Sequence, residues 1–369
     1  MKRLLAGSIM IAVLFSVISC NKKTTGGFTV NGTVIGADSG WVFLKKRAEG
    51  KMITADSMQI KDGKFVFTGK VDLPEVFYLK LKNVDGAFPF FIENAAIALN
   101  VHADSIDKSV ATGSLSQDNY VAYQKSEMVY NSKMEALYAD FLKAKEAKDT
   151  IASKTAENAY DSVQKAQSVF TKDYILKNGK STVAAYLAIS NAYAYTLEDL
   201  KAINKAMDPS IAASPYVKKL AEREIILGKI EPGQQAPEFA LNDSTGKPIS
   251  LSSLKGKVVL VDFWASWCGP CRAENPNVVA AFKKFGSKGF TVLGVSLDSD
   301  KSKWEAAIAK DGLTWSHVSD LKGWENEAAK QYGIMSIPAN FLLDKEGKIL
   351  ASSLRGDALV KKLEEVLGK

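Results

Sequence analysis

The sequence predicts a β-rich region, a helical region and a final α/β domain, in that order. Three patterns support this prediction: apolar residues at every second position near the start, apolar residues three and four apart in the middle, and strands alternating with helices at the end. A chain of 369 residues exceeds one ordinary domain, and its hydrophobic fraction of 46% is typical of globular proteins. We expect the β-rich domain at 28–113, the helical region at 114–228, a linker at 229–236 and the α/β domain at 237–369.

The first 20 residues have the composition of a bacterial export signal. Lys2 and Arg3 precede an apolar run, Leu4 to Ile18, that is shorter than the roughly 20 residues a membrane span needs. The run ends in Val17-Ile18-Ser19-Cys20, which resembles the lipobox of bacterial lipoproteins. The resemblance implies cleavage before Cys20, lipidation of Cys20, and a lipoprotein of the cell envelope that is anchored to the membrane and faces the periplasm. The alternative is an uncleaved anchor in which the cysteine occurs by chance.

The charge distribution favours no nucleic-acid partner. The formal net charge is +7, from 48 basic and 41 acidic residues, and the two signs are interspersed along the chain. Interspersed charges are typical of a solvated surface, whereas a nucleic-acid or membrane-binding patch concentrates one sign. We therefore expect the protein to contact the membrane through its lipid anchor.

The β-rich region contains short runs with period-two alternation, separated by the turn signals Asp38-Ser39-Gly40 and Asp62-Gly63. Several short strands at this spacing suggest an antiparallel sandwich or a partly open barrel. The region shows no acid pair, metal cluster or phosphate loop, so no catalytic site is predicted there. The predicted strands are Phe28–Val34, Trp41–Leu44, Lys64–Thr68, Val76–Leu79, Phe88–Ile92 and Ile97–Val101.

The helical region contains two series of apolar residues spaced four, three and four apart, and each series marks one face of an amphipathic helix. A turn is expected between these helices at Lys148-Asp149-Thr150, and Thr196 and Asp208 are predicted as boundary residues of shorter helices. The two series are Tyr130, Met134, Leu137 and Phe141, and Ala159, Val163, Ala166 and Phe170. The shorter helices are Val183–Tyr195, Leu197–Met207 and Pro215–Leu227.

The last third begins with a predicted hairpin, in which Phe239–Leu241 and Ile249–Leu251 flank the turn Asn242–Lys247. Strands and helices then alternate, which implies a central sheet covered on both faces. The predicted strands are Val258–Val261, Phe290–Leu297, Ala339–Leu343 and Ile349–Ser353. The predicted helices, after one that opens at the cysteine pair, are Lys301–Lys310, Asn326–Tyr332 and Asp357–Leu367.

Two of the three cysteines, Cys268 and Cys271, lie where the buried strand Val258–Val261 turns into a helix. A Cys-x-x-Cys at such a position is a redox motif, because the unpaired amides and the macrodipole of a helix N-terminus favour a thiolate. Cys268 is the expected nucleophile because it is outermost and starts the helix. Cys271 lies one turn further in, where it can close a small disulfide ring, and Cys20 is left to carry lipid.

The segment Val261-Asp262-Phe263-Trp264-Ala265-Ser266-Trp267-Cys268-Gly269-Pro270-Cys271 resembles the active-site segment of thioredoxin, and Tyr332–Pro338 resembles the segment that carries the cis-proline of that family. With the opening hairpin, the lipoprotein signal and an insert at Asp300–Asn326, the domain is most similar to the membrane-tethered TlpA/ResA-like thiol–disulfide oxidoreductases. The region 28–113 resembles, by pattern and position, the β-rich domain of unknown function that precedes thioredoxin modules in some lipoproteins.

The resemblance implies a thioredoxin-like fold for 237–369 and a role for each matching residue. The Cys268 thiolate attacks a substrate disulfide, and Cys271 resolves the mixed disulfide that results. Asp262, if it faces inward, is the expected base for Cys271, because burial raises the pKa of a carboxylate. Pro338, if its peptide bond is cis, leaves the backbone of Ile337 free to pair with an extended substrate.

Three further residues have supporting roles in this interpretation. Trp267 is expected to shield the cysteine pair and to offer an apolar contact, and the dipeptide Gly269-Pro270 resembles the reducing branch of the superfamily. The expected partners are exported proteins that contain disulfides and a membrane-embedded dithiol donor that returns electrons. No cofactor and no metal are expected.

Three alternatives remain open. A zinc site needs about four ligands, but the chain has one vicinal cysteine pair, and His102 and His317 are far apart in sequence. A peroxiredoxin-like peroxidase shares the opening hairpin, although its nucleophile has no vicinal cysteine of this kind. A binding or scaffold lipoprotein with a vestigial redox module is the third alternative, and the intact motif argues against it. Insulin reduction distinguishes the enzymes from the scaffold, and peroxide consumption distinguishes the peroxidase from the oxidoreductase.

Overall fold

The computed structural model describes residues 26–48 and 50–368. The predicted export signal and Cys20 lie outside these residues. The chain separates into two compact units, which meet in the sequence between Met128 and Val129, while the domain boundaries expected from the sequence stay predictions. Within the described ranges, no helix combines the length and the hydropathy that crossing a membrane requires.

The first unit is built on a single eight-stranded sheet. The strand order is β6-β5-β2-β3-β4-β1-β7-β8, and neighbours are antiparallel except for the parallel pair β1 and β7. Its strands are β1 (Phe28–Ile35), β2 (Ser39–Ala48), β3 (Lys51–Lys61), β4 (Lys64–Gly69), β5 (Glu75–Leu81), β6 (Phe88–Ile92), β7 (Ala96–His102) and β8 (Val110–Thr112).

This sheet buries an apolar cluster. Along β1 the side chains of Phe28, Val30 and Val34 are buried, and residues of β2 to β7 extend the same cluster. The period-two alternation causes this burial, so the β-rich prediction is confirmed. All eight strands belong to one sheet, and the parallel β1–β7 pair makes that sheet mixed, so the expected purely antiparallel pairing is wrong. The sandwich and the partly open barrel stay predictions.

The strands β3 and β8 are not predicted by the sequence pattern. Ile60 is the one fully buried residue of β3, so this strand shows no apolar alternation. Its pairing with β2, from Ser39 opposite Lys61 to Ala48 opposite Lys51, holds it in the sheet. The strand β8 has three residues, which are too few to show a period.

The helical region contains five helices, which are α1 (Leu115–Glu146), α2 (Thr150–Lys177), α3 (Thr182–Ser190), α4 (Leu197–Ala206) and α5 (Pro215–Lys229). The two long helices are thus confirmed, and Asp149 between them caps α2 by accepting two backbone N–H hydrogen bonds. The rings of Tyr130 and Phe170, from the two predicted faces, lie 5.4 Å apart. Helix α3 ends earlier than predicted, where the side chain of Asn191 donates a hydrogen bond back to a helix carbonyl.

The second unit contains a hairpin and a five-stranded sheet in the order β13-β12-β11-β14-β15, which confirms the predicted α/β domain. The hairpin strands are β9 (Ala240–Asn242) and β10 (Pro248–Ser250). The sheet strands are β11 (Val258–Trp264), β12 (Phe290–Ser296), β13 (Ser316–Val318), β14 (Ala339–Leu343) and β15 (Ile349–Ser352). The second unit also includes α2 to α5, and the helices that follow the hairpin are α6 (Gly269–Phe285), α7 (Lys301–Asp311), α8 (Glu327–Gln331) and α9 (Asp357–Leu367).

The central strand β11 determines where the functional residues meet. All seven of its residues are buried, as expected for a strand with both faces covered. It pairs in parallel with β12 and antiparallel with β14, and Phe263 lies opposite Ala339. The loop that follows β11 and the loop that precedes β14 therefore meet at one edge of the sheet.

Candidate active site

The cysteine pair lies at the start of α6, one loop after β11. Cys268 is the N-cap residue, and Gly269 and Pro270 are the first two residues of the helix. The two cysteines form a disulfide bond, and Cys268 Sγ accepts a hydrogen bond of 3.2 Å from the backbone N–H of Cys271. Cys268 is 5% exposed and Cys271 is 1% exposed, so the more accessible cysteine is the one predicted as the nucleophile.

The dipeptide between the cysteines is exposed and adds no side-chain donor. Glycine has no side chain, proline lacks an N–H, and the space next to the Gly269 Cα is open. Trp267, just before the nucleophile, is 55% exposed. The backbone N–H of Cys271 is therefore the hydrogen-bond donor that this turn directs at Cys268 Sγ.

The loop 333–338 reaches the same edge of the sheet, because Ala339 pairs with Phe263 directly after Pro338. The Ile337–Pro338 peptide bond is cis. Arg355 donates a hydrogen bond of 2.8 Å to the carbonyl of Pro338. The structure thus brings Pro338 and Ile337 to the edge where the cysteine pair lies, and their role in substrate pairing stays a prediction.

Helix α5 of the helical region holds the start of this loop. Arg223 donates a hydrogen bond to the carbonyl of Gly333, whose φ of +56° is left-handed. A Cβ at Gly333 would lie 2.8 Å from Ile226, so the helix packs directly on the loop backbone. Burial lowers the pKa of Arg223. The sequence does not indicate this contact, because the two partners are 110 residues apart.

Asp262 lies in the buried part of β11, two residues before the strand ends, and is 7% exposed. Burial raises the pKa of Asp262, the negative charge of Glu274 adds to this effect, and Arg355 opposes it. The resulting pKa is about 7, against an ordinary value of 3.8. A carboxyl group with this pKa exchanges a proton near neutral pH. The inward position of Asp262 is confirmed, and its role as a base stays a prediction.

Glu274 is a part of the site that the sequence reasoning missed. It lies three residues after Cys271 in α6, and its carboxylate accepts a 2.7 Å hydrogen bond from the backbone N–H of Gly356 and a 3.0 Å hydrogen bond from Asn277. Its negative charge contributes, after burial, to the raised pKa of Asp262. The spacing of Cys271 and Glu274 could have indicated this position, since residues three apart share one face of a helix.

A network of polar side chains supports the loop between β11 and α6. Buried Asp298 accepts hydrogen bonds of 2.9 Å from the Ser266 backbone N–H and 2.5 Å from the Ser266 hydroxyl. Arg272 donates from Nη1 to the Ser266 carbonyl at 3.1 Å, and it pairs with Asp311 on α7 through Nε and Nη2. Burial acts to raise the pKa of Asp311, but hydrogen bonds from Arg272 and Asn275 lower it below its usual value.

The histidine near the site is not arranged as a metal ligand. His317 on β13 is buried between the rings of Trp264 and Trp315, and burial lowers the pKa of His317 to about 4. It is therefore neutral at physiological pH. In the part of the chain that the structure describes, no group of three or more His, Cys, Asp or Glu side chains is placed to hold a metal ion.

Comparison with known proteins identifies relatives of both regions. Residues 232–352 match the AhpC/TSA family, and residues 28–120 match a domain of unknown function, DUF4369. A solved structure of a thiol-disulfide oxidoreductase from Bacteroides fragilis is 42% identical to this chain. The match includes 36% of this chain and 100% of that protein, with a TM-score of 0.35. A thiol:disulfide interchange protein from a Bacteroides species is 37% identical, with 38% of this chain covering 93% of that chain and a TM-score of 0.36.

Curated relatives of this chain include thiol-disulfide oxidoreductases. The thiol-disulfide oxidoreductase ResA of Bacillus thuringiensis is 33% identical over 141 residues, which are 38% of this chain and 79% of ResA. ResA of Bacillus subtilis is 34% identical over 121 residues, which are 33% of this chain and 66% of that protein. The matched region contains the disulfide-bonded pair Cys268–Cys271 on a thioredoxin-like fold. The chain therefore belongs to the TlpA/ResA-like family of thiol–disulfide oxidoreductases and carries an N-terminal DUF4369 domain.

Proposed function

We propose that this protein reduces disulfide bonds in exported proteins through the Cys268–Cys271 dithiol, and that a lipid on Cys20 anchors it to the membrane, facing the periplasm. The observation that carries the redox part is a disulfide at the N-terminus of α6, directly after the strand β11 that holds the buried carboxyl group of Asp262, whose pKa is about 7. The export part is supported by the apolar run that ends at Cys20.

The reaction starts from the dithiol form. The Cys268 thiolate attacks one sulfur of the substrate disulfide, and the other substrate sulfur leaves as a thiolate that takes up a proton. Asp262 then accepts the proton of the Cys271 thiol, which is buried and needs a base. The Cys271 thiolate attacks Cys268 Sγ and forms the Cys268–Cys271 disulfide, and the second substrate sulfur leaves as a thiolate that takes up a proton. Two electrons pass from the dithiol to the substrate in this cycle.

The direction of electron flow is proposed from the donors around Cys268. A strong oxidant needs a heavily stabilised thiolate, and the reactive cysteine of one such enzyme has a pKa of about 3.5. The reactive cysteine of thioredoxin, which is a reductant, has a pKa of about 7. One backbone N–H at 3.2 Å and the helix terminus give Cys268 moderate stabilisation, and Gly269-Pro270 adds none. The enzyme therefore works as a reductant, and a membrane-embedded dithiol donor returns it to the dithiol form without a cofactor.

A peroxidase is the second candidate function, because residues 232–352 match the AhpC/TSA family. The close pairing of Cys268 with Cys271 favours the disulfide reductase, since a vicinal thiol resolves a mixed disulfide directly. Consumption of hydrogen peroxide by the dithiol form, measured against reduction of insulin disulfides, separates the two. A scaffold role for the whole protein predicts neither activity.

The test of the proposal is capture of the mixed disulfide. Cys271→Ser should stall the reaction after the first step, so substrates remain linked to Cys268 and appear as adducts on non-reducing gels. The matched control is Cys268→Ser, which keeps the second cysteine but loses the nucleophile and should capture nothing. Wild-type protein that fails to reduce insulin, together with equal capture by both variants, would contradict the proposal.

A further inference from the structure

Two exposed tryptophans lie beside the nucleophile. Trp267 directly precedes Cys268, and Trp324 comes from the insert between α7 and α8. Their ring centroids are 6.1 Å apart with an angle of 54° between the planes, so the two rings are in contact. Trp267 is 55% exposed and Trp324 is 46% exposed. We call this pair the aromatic rim.

The backbone that carries Trp324 is held firmly. One carboxylate, Asp320, accepts hydrogen bonds from the backbone N–H of Lys322 at 3.1 Å, from the Asn326 side chain at 2.8 Å and from the backbone N–H of Glu327 at 3.1 Å. Asn326 is fully buried and caps α8. Because both sides of the short turn are fixed, the exposure of Trp324 is imposed by the fold and does not arise from a loose loop.

The chemistry of the rim suits an apolar occupant, because the rim consists of two exposed indole rings. Glu325, which follows Trp324 in the chain, forms an ion pair with Lys330, so its charge is compensated. A polypeptide whose sulfur reaches Cys268 must also lie over the residues that border it. An extended chain rises about 3.3 Å for each residue, so two residues span about 6.6 Å. This length is close to the 6.1 Å between the ring centroids of Trp267 and Trp324, so a side chain about two residues from the substrate cysteine can contact the rim.

We propose that Trp324 is a specificity-determining residue, which with Trp267 binds an apolar or aromatic side chain located about two residues from the substrate cysteine. This inference rests on the proposed function, because it concerns the substrate of the same site. The reaction is the one above: the dithiol gives two electrons to the peptide disulfide, two peptide thiols are released, and the enzyme disulfide forms. The aromatic rim determines which disulfides bind and takes no part in the electron transfer.

The test compares two disulfide-linked peptide dimers that differ at one position. One carries tryptophan two residues before its cysteine and the other carries serine there, and reduction by the dithiol enzyme is followed by chromatography. Wild type should prefer the tryptophan peptide in kcat/KM. Trp324→Ala should lower this preference about tenfold, mainly through KM, since an aromatic contact of ordinary strength corresponds to a factor of about 2 to 12. Trp324→Phe should restore most of the preference.

The matched control is Trp41→Ala, because Trp41 is also exposed, at 39%, and lies in the first unit. This control should keep the wild-type preference. Equal rates of wild type on the two peptides would overturn the inference, as would an equal loss on both peptides in Trp324→Ala, which indicates a general effect on the redox centre. Failure of wild type to reduce either peptide or hydroxyethyl disulfide would instead overturn the proposed function itself.

Discussion

Replacement of Asp262 by asparagine is the sharpest test of the site, because it removes a charge and a base while keeping the shape of the side chain. Asp262 is buried in β11, and its pKa is about 7. If it accepts the Cys271 proton, Asp262→Asn should slow resolution of the mixed disulfide by about 100-fold or more, which is the usual contribution of a general base. Formation of the mixed disulfide by Cys268 should be slowed much less.

The same substitution has a predictable effect on stability. Because the pKa of Asp262 is about 7 in the folded state against 3.8 ordinarily, the folded protein binds this proton more tightly than the unfolded chain does. This contribution to wild-type stability is fully present below pH 3.8 and is lost as the pH rises through about 7. At 1.36 kcal/mol for each pH unit, the loss amounts to about 4 kcal/mol. Asparagine stays neutral, so the variant does not lose this stability. The stability of the variant relative to wild type therefore increases as the pH rises from 3.8 to about 7.

Stopped-flow mixing of the dithiol enzyme with a peptide disulfide separates the two chemical steps. Urea unfolding followed by tryptophan fluorescence reports stability of this domain, since five of the six tryptophans lie in 237–369. The stability advantage of Asp262→Asn should be larger at pH 8 than at pH 5 by about 3 kcal/mol. The matched control is Asp173→Asn, an exposed position on α2, which should change neither quantity.

The catalytic role of Asp262 and its raised pKa can be refuted separately. Wild-type rates for both steps of Asp262→Asn between pH 6 and pH 8 would exclude Asp262 as the base. A stability advantage that is the same at pH 5 and pH 8 would show that the pKa of this carboxyl group is not raised. The two results are independent, because a group can have a raised pKa without taking part in the reaction.

Three further predictions concern the charge of Glu274, the redox potential and the lipid anchor. Glu274→Gln removes a charge that raises the pKa of Asp262, so the inflection in the pH profile of the resolution step should move to lower pH, and an unmoved inflection would contradict the coupling. The redox potential, measured by equilibration with glutathione buffers and Trp264 and Trp267 fluorescence, should lie nearer about −270 mV than about −120 mV. A value above about −150 mV would make the protein a disulfide donor. Cys20→Ser should release the protein from the membrane fraction or leave it unprocessed, and unchanged processing and partitioning would rule out the lipid anchor.

The parts of the site that the sequence predicts are those fixed by neighbours along the chain. A continuous apolar run makes β11 a buried strand, and the position of Asp262 within that run already implies a carboxyl group in a low-dielectric environment. Cys268 and Cys271 are three residues apart where this strand gives way to a helix, which is enough to place one sulfur at the N-cap and the other one turn in. Local periodicity likewise predicts most strands and helices, but not β3, whose apolar side chains are largely exposed.

The parts that the sequence does not predict depend on contacts between distant segments. Asp311 reaches Arg272 across 39 residues, and the carboxylate of Glu274 reaches the backbone of Gly356 across 82 residues. No period or spacing encodes which distant polar groups will pair, because the pairing follows from how the layers stack. Arg223 is the clearest case, since its contact with Gly333 joins a helix outside the thioredoxin-like sheet to the loop that ends in Pro338. The helical region is thus part of the support of the active-site loop, although its own sequence contains no redox motif.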